Sequence, residues 1–427
     1  MPSTGPPGDT PGDTPDKTPG DTPDNTTDGP QVPPRVGLTK IALEWGRIGC
    51  IGFGGPPAHI TLLRRLCVPR GWLSAEEFED GLAVANLLPG PSSTQLAIFC
   101  AYRLGGPIGA LIGGIGFIAP GLVLILALAV LFFASHPPLA LEGAAAGAGA
   151  AVPAVAVAAA IALVAPSWRR ADKTNAGQAR WAAYAVAGGV AAALFGPWLV
   201  VVIVACGALE VMIRTTPSRG PGTRGRRAGM GMLAGHAGHV GNVGHVVSLG
   251  GLGALAWEAL KVGALSFGGG FVIIPLMEHD AVHVYHFMSA AHFLDAVALG
   301  QVTPGPVVQT VAVVGYAAHG IGGALLAAAI AFAPSFVFVI VGGPHFDRIR
   351  SSKVALAFLM GAGPAAIGAI AGSAIPLGQS LAHIWQVGIL AVAAVWLVGL
   401  RRPIVTAIVA AGVIGAIAAV AGAPVGA

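Results

Sequence analysis

Two long stretches without a charged residue constrain this chain more than any other feature. Residues 296–346 contain no Asp, Glu, Lys or Arg, and neither do residues 354–400. Each stretch is about twice the ~20 apolar residues that one transmembrane helix needs, so each predicts two spans joined by an uncharged turn. Hydrophobic residues make up 55% of the chain and charged residues 10%, against about 25% charged in soluble proteins. The sequence therefore predicts an all-α polytopic membrane protein and excludes a string of soluble domains.

The charges divide the chain into an acidic beginning and a basic body. Residues 1–36 carry six Asp against Lys17 and Arg35, whereas the whole chain has a net charge of +4. A basic membrane body suits cytoplasmic loops that face the anionic lipid of the bilayer, and it equally suits an anionic substrate. The basic residues are scattered between apolar runs, so the pattern does not favour nucleic acid as a partner.

Two segments of biased composition separate the predicted domains. Residues 1–36 repeat the motif GDTP, and residues 214–247 are rich in Gly, Arg and His. Neither composition can bury a core, which predicts a disordered tail and a solvated linker. These segments bracket two predicted membrane halves, residues 37–213 and residues 248–427.

The two halves resemble each other in sequence, which predicts an internal repeat. At an offset of 214 residues, the matching pairs are Glu44 with Glu258, Arg47 with Lys261, Gly49 with Gly263, and Phe53-Gly54-Gly55 with Phe267-Gly268-Gly269. At an offset of 215, Pro89-Gly90-Pro91 matches Pro304-Gly305-Pro306. Duplicated halves are common among secondary transporters, whose sites usually lie between the halves near the midplane of the bilayer.

Each half predicts about five apolar segments. In the first half these are residues 41–62, 78–102, 106–134, 139–166 and 181–213. The last contains Phe195-Gly196-Pro197-Trp198 and is open to a second interpretation as two short helices. Its counterpart, residues 385–422, is interrupted by Arg401-Arg402-Pro403.

Five spans per half would invert the second half relative to the first, whereas six would keep the halves parallel. Arg64, Arg65 and Arg70 follow the first segment, but the equivalent residues 276–290 contain no Lys or Arg. The loop after the third segment shows the reverse, because 345–353 is basic and 135–142 is not. Basic loops face the cytoplasm, so this pattern favours inverted halves.

A pair of opposite charges recurs near the start of each half. Glu44 lies three residues before Arg47, and Glu258 lies three residues before Lys261. This spacing places both charges on one face of a helix, where they can pair. Ionisable groups within a span are costly and usually functional. The alternative is that they lie at the headgroups and only extend towards water.

Glycine-rich motifs predict a break inside the first helix of each half. The motifs are GFGGPPAH at 52–59 and SFGGGF at 266–271, with Gly54, Gly55, Gly268, Gly269 and Gly270 at their centres. Pro56 and Pro57 suit the first turn of a new helix, whose free N–H groups and positive dipole end can bind an anion. His59 is a candidate proton carrier. The alternative is a tight helix crossing that needs small residues.

Pro-Gly-Pro motifs predict a second break in each half. The first lies in NLLPGPSSTQ at 86–95 and the second in QVTPGPVVQT at 301–310. Each break would begin a half-helix, to which Ser92, Ser93, Thr94 and Gln95 add donors in the first half. Asn86 and Gln301 precede the two breaks at matching positions. The two breaks could form facing anion-binding helix ends, or hinges without a ligand.

Other polar residues give weaker signals. Ser74 and Glu77 form the pattern of a capping box, and Ser289 is the matching cap in the second half. Asp80 and Asp295 fall in the second turn of these helices, where helix-start electrostatics and proton coupling explain them equally well. His279, His283, His286 and His292 lie with Asp280 in one loop at spacings that a metal site can use. This cluster is confined to one loop, and the sequence contains no second set of ligands that could complete a metal site. We therefore predict no metal and no cofactor. The four cysteines are far apart and are interpreted as free thiols.

At these residues the sequence resembles the chromate ion transporter family, in its long-chain, two-domain form. The similar motifs are FGGPPAH with Glu44 and Arg47, WLSAEEF–LLPGP–TQL at 72–96, FGGG–IP at 267–275, and LDAVALGQVTPGP at 294–306. The resemblance covers nearly all of the chain beyond residue 37. It departs from the family at His286-Phe287, where the first half has the family-typical Trp72.

The resemblance implies a carrier with inverted halves that exports chromate across the bacterial inner membrane and confers chromate resistance. It marks as family-typical Gly54, Gly55, Pro56, His59, Pro89, Gly90, Pro91, Gln95, Gly268, Gly269, Gly270, Pro275, Gln301, Pro304, Gly305 and Pro306. The hypothesis is alternating access around a tetrahedral oxyanion. Arg47 and Lys261 would supply charge, the breaks would supply N–H donors, and Glu44, Glu258 or His59 would carry a coupled proton.

Three alternatives stay open. Sulfate or another oxyanion could be the substrate, because a pocket discriminates poorly between isosteres. A membrane enzyme that uses a metal at His279–His292 is the rival from another class. The oligomeric state is also open, with a homodimer as one alternative.

Overall fold

All secondary structure in the described part of the chain is helical, which confirms the predicted all-α fold. The computed structural model describes residues 36–134, 137–171, 173–194, 199–215, 251–266, 270, 273–343 and 352–425. The predicted tail 1–36 lies outside these ranges except for Val36. The predicted linker 214–247 lies outside them except for the last two residues of a helix.

The helices of the part before the linker are α1 Leu38–Ile51, α2 Pro56–Cys67, α3 Ala75–Leu87, α4 Ser92–Phe132, α5 Leu139–Arg170, α6 Asn175–Leu194 and α7 Leu199–Thr215. After it follow α8 Gly251–Leu265, α9 Ile274–Glu278, a π-helix His279–Val284, α10 Ala290–Val302, a 3-10 turn Val307–Gln309, α11 Thr310–Gly342, α12 Lys353–Gly372, α13 Ala374–Gln379, α14 Ile384–Ala394, a π-helix Val395–Gly399 and α15 Ile404–Val420.

The first apolar segment folds as two short helices that lie at the same end of the protein. The predicted break is present, since Gly54 and Gly55 have φ of +99° and +72° and α2 begins at Pro56. Trp72, which follows α2, stacks on Trp45 of α1 with ring centroids 6.5 Å apart, and the Lys40 ammonium of α1 lies 5.2 Å from the Trp72 ring. The outer ends of α1 and α2 therefore meet, and the segment does not cross in a straight line as one span.

The second apolar segment, predicted as one span, forms a helical hairpin. Ser74 and Glu77 make the predicted capping box at the start of α3. Gly81 of α3 packs on the Phe99 ring of α4, and Glu77 pairs with Arg103. Contacts symmetric about Gly90 mean that α3 and the beginning of α4 run antiparallel. We call residues 75–104 the first hairpin, with Pro-Gly-Pro at its tip.

The equivalent residues after the linker form a similar hairpin. Ser289 caps α10 by accepting a hydrogen bond from the His292 N–H at 3.2 Å. Gly300 of α10 packs against Thr310 of α11, and this contact is symmetric about Gly305. We call residues 290–318 the second hairpin. The two Pro-Gly-Pro motifs therefore lie at the tips of hairpins and not in the middle of straight spans.

Helices α4 and α11 both bend sharply after their hairpin arms. The bends are at Gly105-Gly106 and at His319-Gly320, where Gly106 and Gly320 have φ of +63° and +60°. The long parts that follow are antiparallel to each other. The end of α11 at Gly343 packs on Tyr102, near the start of the long part of α4, and the Phe133 ring at the end of α4 lies 5.9 Å from the Tyr316 ring.

This antiparallel arrangement gives the protein two distinct ends. One end carries the open side of the first hairpin, with Arg64, Arg70 and Arg103 in ion pairs at its surface; we call it the basic end. The opposite end carries the open side of the second hairpin, and we call it the histidine end.

The remaining helices pack closely along small side chains. Helix α12 lies against α6 and α7, and α15 lies along α5. At the crossing of α6 and α12, Gly188 faces the Ala365 carbonyl and Gly368 faces the Ala185 carbonyl. Close backbone approach through small residues is typical of membrane helices. The residues predicted as one segment, 181–213, fall in two helices, α6 and α7, as the alternative interpretation expected.

Four helices in the described ranges are long and apolar enough to cross a membrane. They are Ser92–Phe132, Leu139–Arg170, Val307–Gly342 and Lys353–Gln379, and two shorter apolar helices are Ile384–Gly399 and Ile404–Val420. Many large apolar side chains of these helices are exposed, among them Val123, Leu131, Val341 and Ile417. An apolar exterior is expected for a protein that lies in lipid.

Gly368→Ala should destabilise the contact between α6 and α12. A Cβ at position 368 would overlap the Ala185 carbonyl oxygen, and a forced backbone shift in a packed core costs about 1–3 kcal/mol. We expect a lower Tm of the purified protein, measured by tryptophan fluorescence. Gly388→Ala is the control, because a Cβ there meets no atom within 4 Å. Equal Tm values for the two variants would contradict this crossing.

Candidate functional site

The candidate site is centred on His59, which connects the first break to the first hairpin. The Nε2 atom of His59 lies 2.8 Å from the Gly52 carbonyl oxygen, and Nδ1 lies 3.2 Å from Ser93 Oγ. A carbonyl only accepts, so Nε2 carries the proton in this arrangement and Nδ1 of the neutral ring accepts from Ser93. His59 is fully buried, and its ring packs edge-on against Phe117 with centroids 5.0 Å apart.

The second hairpin joins the same carbonyl. The backbone N–H of Gly305 donates to the Gly52 oxygen at 3.0 Å, so this one oxygen accepts from both His59 and Gly305. The chain of hydrogen bonds runs from Ser93 through His59 and Gly52 to Gly305. The first Gly-Gly break and both Pro-Gly-Pro motifs are therefore brought together, although they are far apart along the chain.

The local sequence explains how His59 reaches this position. The left-handed conformation of Gly54 and Gly55 turns the chain out of α1, and Pro56 and Pro57 begin α2 without needing N–H partners. The first-turn N–H groups of Ala58 and His59 bond back to the Gly55 oxygen. The His59 side chain therefore points back to Gly52 across the break.

The tip of the first hairpin contacts helices from beyond the linker. Gly90 at the tip has φ of +121°, and a Cβ there would lie 3.3 Å from Ser335 Oγ of α11 and 3.4 Å from the Gly263 oxygen of α8. Gln95 steadies the turn by donating from Nε2 to the Pro89 oxygen at 2.6 Å. Ser92, Ser93, Thr94 and Gln95 are all buried at the start of α4.

The tip of the second hairpin contacts α4 in the corresponding way. Gly121 of α4 faces the Pro304 carbonyl so closely that no Cβ would fit. Gln309 donates from Nε2 to the Ile118 carbonyl oxygen at 2.8 Å. Each hairpin tip thus packs on the long helix that belongs to the other side of the linker. Gly270 lies near this tip, because a Cβ added to it would be within 3.5 Å of Val307 and Val308. Gly268 and Gly269 lie outside the described residues.

Several buried polar atoms at the two tips have no hydrogen-bond partner among the described residues. They are Thr94 Oγ1, Gln95 Oε1, Ser266 Oγ, Gln301 Nε2, Gln309 Oε1 and Ser335 Oγ. Buried polar groups in proteins are normally hydrogen-bonded. The set contains one N–H donor, Gln301 Nε2, three hydroxyl groups and two amide oxygens that can only accept, so this region is able to bind a polar ligand or water.

The predicted charge pairs do not form as expected. Glu44 pairs with Arg70 at 2.5 Å and not with Arg47, whose side chain is exposed on α1. Lys261 pairs with Asp280 and not with Glu258. The reason is geometric. The return of the chain through α2 brings Arg70 closer to Glu44 than Arg47 is, and the π-helix brings Asp280 closer to Lys261 than Glu258 is.

Glu258 is the unusual member of these pairs. It is fully buried, and neither carboxylate oxygen has a hydrogen-bond partner in the described ranges. Removing an ionised carboxylate from water without a partner costs so much free energy that such a group usually binds a proton or a cation. Glu258 therefore fits the predicted proton-carrying role better than Glu44, which is paired and partly exposed.

A cavity of about 490 Å³ opens between α3, α5, α6 and α12. Most of its lining is apolar, and its polar residues are Asn86, Ser167, Arg170 and Trp181. Asn86, expected beside the first break, is exposed to this cavity and not packed at the hairpin tip. Arg170 was missed by the sequence reasoning, since its position at the end of an apolar segment does not show which cavity it lines.

The loop histidines do not converge on a metal. His279 and His283 have ring centroids 5.8 Å apart, and His283 Nε2 lies 3.6 Å from Glu278. His286 bonds to the Val282 carbonyl oxygen, and His292 packs on Phe132 and Phe133. No group of three or more potential ligands in the described part of the chain could hold a metal ion.

The long helices are apolar, glycine and proline residues break helices in the interior, and buried polar groups lie at the hairpin tips. These features define a multi-pass membrane protein of the transporter class. The family profile described as "Chromate transporter" matches residues 39–211 and 253–416. The chain belongs to the chromate transporter family.

Curated relatives agree with this family. The "Chromate transport protein" of Cupriavidus metallidurans is 30% identical over 81% of this chain and 84% of its own length. The "Probable chromate transport protein" of Synechococcus elongatus is 28% identical over 90% of this chain and 97% of its length. The "Chromate transport protein" of Pseudomonas aeruginosa is 29% identical over 82% and 84%. No solved structure matches the chain.

His59→Phe should weaken the connection between the break and the two hairpins. The variant keeps an aromatic ring against Phe117 but removes both hydrogen bonds of the imidazole, and a buried group left unsatisfied costs about 1–3 kcal/mol. We expect a lower Tm for the purified protein. His319→Phe is the control, since His319 is exposed and lies outside the site. A His59→Phe variant as stable as the control would mean that the hydrogen bonds do not hold the site together.

Proposed function

We propose that this protein is a secondary transporter that exports chromate, a tetrahedral dianion, from the bacterial cytoplasm and so gives chromate resistance. The similarity to chromate transport proteins over most of the chain carries this proposal. The names of these relatives support transport and not an enzymatic activity, so the metal-dependent enzyme has no support from them. Sulfate or another oxyanion is the alternative substrate.

The proposed architecture is two inverted halves of about five membrane segments each. The two stretches matched by one family profile, 39–211 and 253–416, support a repeat. The antiparallel course of α4 and α11 and the opposite positions of the two hairpins support inversion. Inverted repeats bind their substrates at the interface of the halves, which in this protein is the region of the two hairpin tips.

The basic end is assigned to the cytoplasm and the chain to the inner membrane. Arg64, Arg65, Arg70 and Arg103 lie at this end, together with Arg169 and Arg170 at the end of α5. An excess of Arg and Lys marks the cytoplasmic side of membrane proteins. The 490 Å³ cavity with Asn86 and Arg170 then opens towards the cytoplasm, where an exported anion is bound first.

The proposed anion site uses donors from both hairpin tips. On one side, the helix-start N–H groups of Ser92 and Ser93 and the hydroxyl groups of Ser92 and Thr94 donate to the anion. Ser93 Oγ and Gln95 Nε2 already donate to His59 and Pro89, and these two side chains hold the tip in position. On the other side, Gln301 and the N–H groups after Pro306 donate. The glycines at Gly54-Gly55 and at Gly270 allow the backbone to approach the anion; Gly268 and Gly269, assigned to the same role from the sequence, lie outside the described residues. Because each tip packs on the opposite half, relative movement of the halves would change both tips at once, as alternating access requires.

The source of positive charge differs from the sequence hypothesis. Arg47 is exposed and Lys261 is paired with Asp280, whereas Arg170 faces the cytoplasmic cavity without an acidic lining residue. We therefore assign the first electrostatic contact with the dianion to Arg170. Arg47 and Lys261 would attract the dianion only from a longer distance.

The membrane potential favours export. Moving one charge through ~100 mV is worth about 2.3 kcal/mol, so a dianion that leaves a negative-inside cell gains about 4.6 kcal/mol. Import would need coupled cations, and Glu258 is then the candidate with the environment of a proton carrier. His59 already has two hydrogen-bond partners, so we assign it to positioning the tips.

The test is uptake of labelled chromate into everted membrane vesicles under an imposed potential. Wild-type protein should give saturable uptake that excess sulfate reduces if the site does not discriminate. Arg170→Gln should lower the apparent affinity by about tenfold, which corresponds to about 1.4 kcal/mol of lost attraction. Arg169→Gln is the matched control, because Arg169 also bonds to a carbonyl four residues earlier but does not line the cavity.

Two outcomes would contradict the proposal in different ways. No uptake above empty vesicles, under a potential and a pH gradient, would exclude chromate export. Uptake that is unchanged in Arg170→Gln but lost in Arg47→Gln would keep the function and return the charge to the position that the sequence hypothesis gave it.

A further inference from the structure

A second, smaller cavity lies at the histidine end. Its volume is about 140 Å³, and it is enclosed by the end of α4, the start of α5, α10 and the residues before α14. Its polar lining consists of Glu142, His292, Asp295, Ser380, His383 and Gln386. The cavity is separate from the hairpin tips and from the cavity that contains Arg170.

Asp295 is the buried carboxylate of this cavity. Its exposed fraction is 7%, and no hydrogen bond or ion pair joins it to another described residue. The facing residue on α5 is Gly149, where an added Cβ would lie 3.0 Å from Asp295 Oδ1. The absence of a side chain at Gly149 therefore leaves the carboxylate open to the cavity. The sequence left helix-start electrostatics and proton coupling as alternatives for Asp295. Asp295 lies in the second turn after the cap Ser289, where the effect of the helix dipole has fallen off, so this environment favours the second alternative.

Among the described residues, the lining of this cavity contains no Lys or Arg. Its titratable residues besides Asp295 are Glu142 from α5, His383 from the residues before α14 and His292 from α10 itself. The charged groups of the neighbouring α9 and π-helix have other partners, since Asp280 pairs with Lys261 of α8 and Glu278 lies 3.6 Å from His283. The lining residues from α4 and the C-terminal segment, Phe132 and Val425, are apolar.

Two carboxylates that share a small cavity without a Lys or Arg attract cations. The donor set does not converge as a metal site does, and a buried carboxylate without a partner is stabilised by binding a proton. The cavity thus contains a proton acceptor, Asp295, whose lining also includes Glu142, His292 and His383.

We propose that Asp295 is a proton-binding site that is loaded from the external side through this cavity and that exchanges protons in step with anion export. The inference rests on the proposed function for the direction of transport. The step is an acid–base equilibrium in which an external proton adds to the carboxylate of Asp295. When the halves rearrange, the proton passes from the carboxylic acid to water on the cytoplasmic side, which regenerates the carboxylate. Outward movement of a dianion and inward movement of a proton both make the inside less negative, so a negative-inside membrane potential drives both.

The first experiment measures proton binding at Asp295 in purified protein, independently of transport. Purified full-length protein is treated with dicyclohexylcarbodiimide, which modifies protonated carboxyl groups in apolar surroundings, at a series of pH values. Mass spectrometry of the peptides then gives the extent of modification at Asp295. We expect modification that rises as the pH falls. Glu79 is the internal comparison, because it forms an exposed ion pair with Arg64 and should not be modified. Absence of pH-dependent modification at Asp295 would overturn the proton site.

The second experiment reads coupling in proteoliposomes that contain a pH-sensitive dye and labelled chromate. Wild-type protein and the Glu79→Gln control should move protons opposite to chromate. Asp295→Asn should lose the proton movement, down to the level of empty vesicles, and should no longer respond to a pH gradient. Chromate transport with unchanged proton movement in Asp295→Asn would overturn the coupling and leave the proposed function intact. Absence of chromate transport by the wild type would overturn the proposed function and the coupling, while the modification experiment would still decide the proton site.

Discussion

The carbonyl oxygen of Gly52 is the point on which the arrangement of the centre depends. It is left without a helical partner because Gly54 and Gly55 turn the chain, and it accepts from both His59 Nε2 and the Gly305 N–H. Through His59 the same oxygen is connected to Ser93 at the start of α4. A broken membrane helix needs partners for its freed backbone groups, and here they come from His59 across the same break and from Gly305 at the tip of the second hairpin.

Much of this arrangement could be predicted from the sequence. The uncharged runs indicated a polytopic helical protein, and the motifs at Gly54-Gly55, Gly90 and Gly305 located the helix breaks correctly. The return of the chain at each break could not be predicted, because a broken span and a hairpin have the same apolar length and the same Pro-Gly-Pro motif. The ion pairs predicted from the sequence, Glu44 with Arg47 and Glu258 with Lys261, were wrong for the same reason. Arg70 reaches Glu44 only after α2 has turned back towards the outer end of α1.

The two cavities differ in charge. The cavity with Arg170 and Asn86 suits an anion, and the cavity with Asp295 and Glu142 suits a proton. The first is lined by α3 of the first hairpin and the second by α10 of the second hairpin. A sequence cannot assign such residues to a cavity, because Arg170 and Asp295 receive their neighbours from helices that are distant along the chain.

In the proposed mechanism, the first hairpin packs on the long part of α11 and moves against it during transport. Ile98 and Phe336 both reach the point where a Cβ of Gly114 would lie, so they are suitable positions for a cross-link. In a variant whose four native cysteines are replaced by Ala, Ile98→Cys and Phe336→Cys should be joined by a short cleavable thiol reagent. We expect the cross-link to stop chromate transport and its cleavage to restore transport. Failure to cross-link, or transport that continues in the cross-linked protein, would contradict the proposed movement.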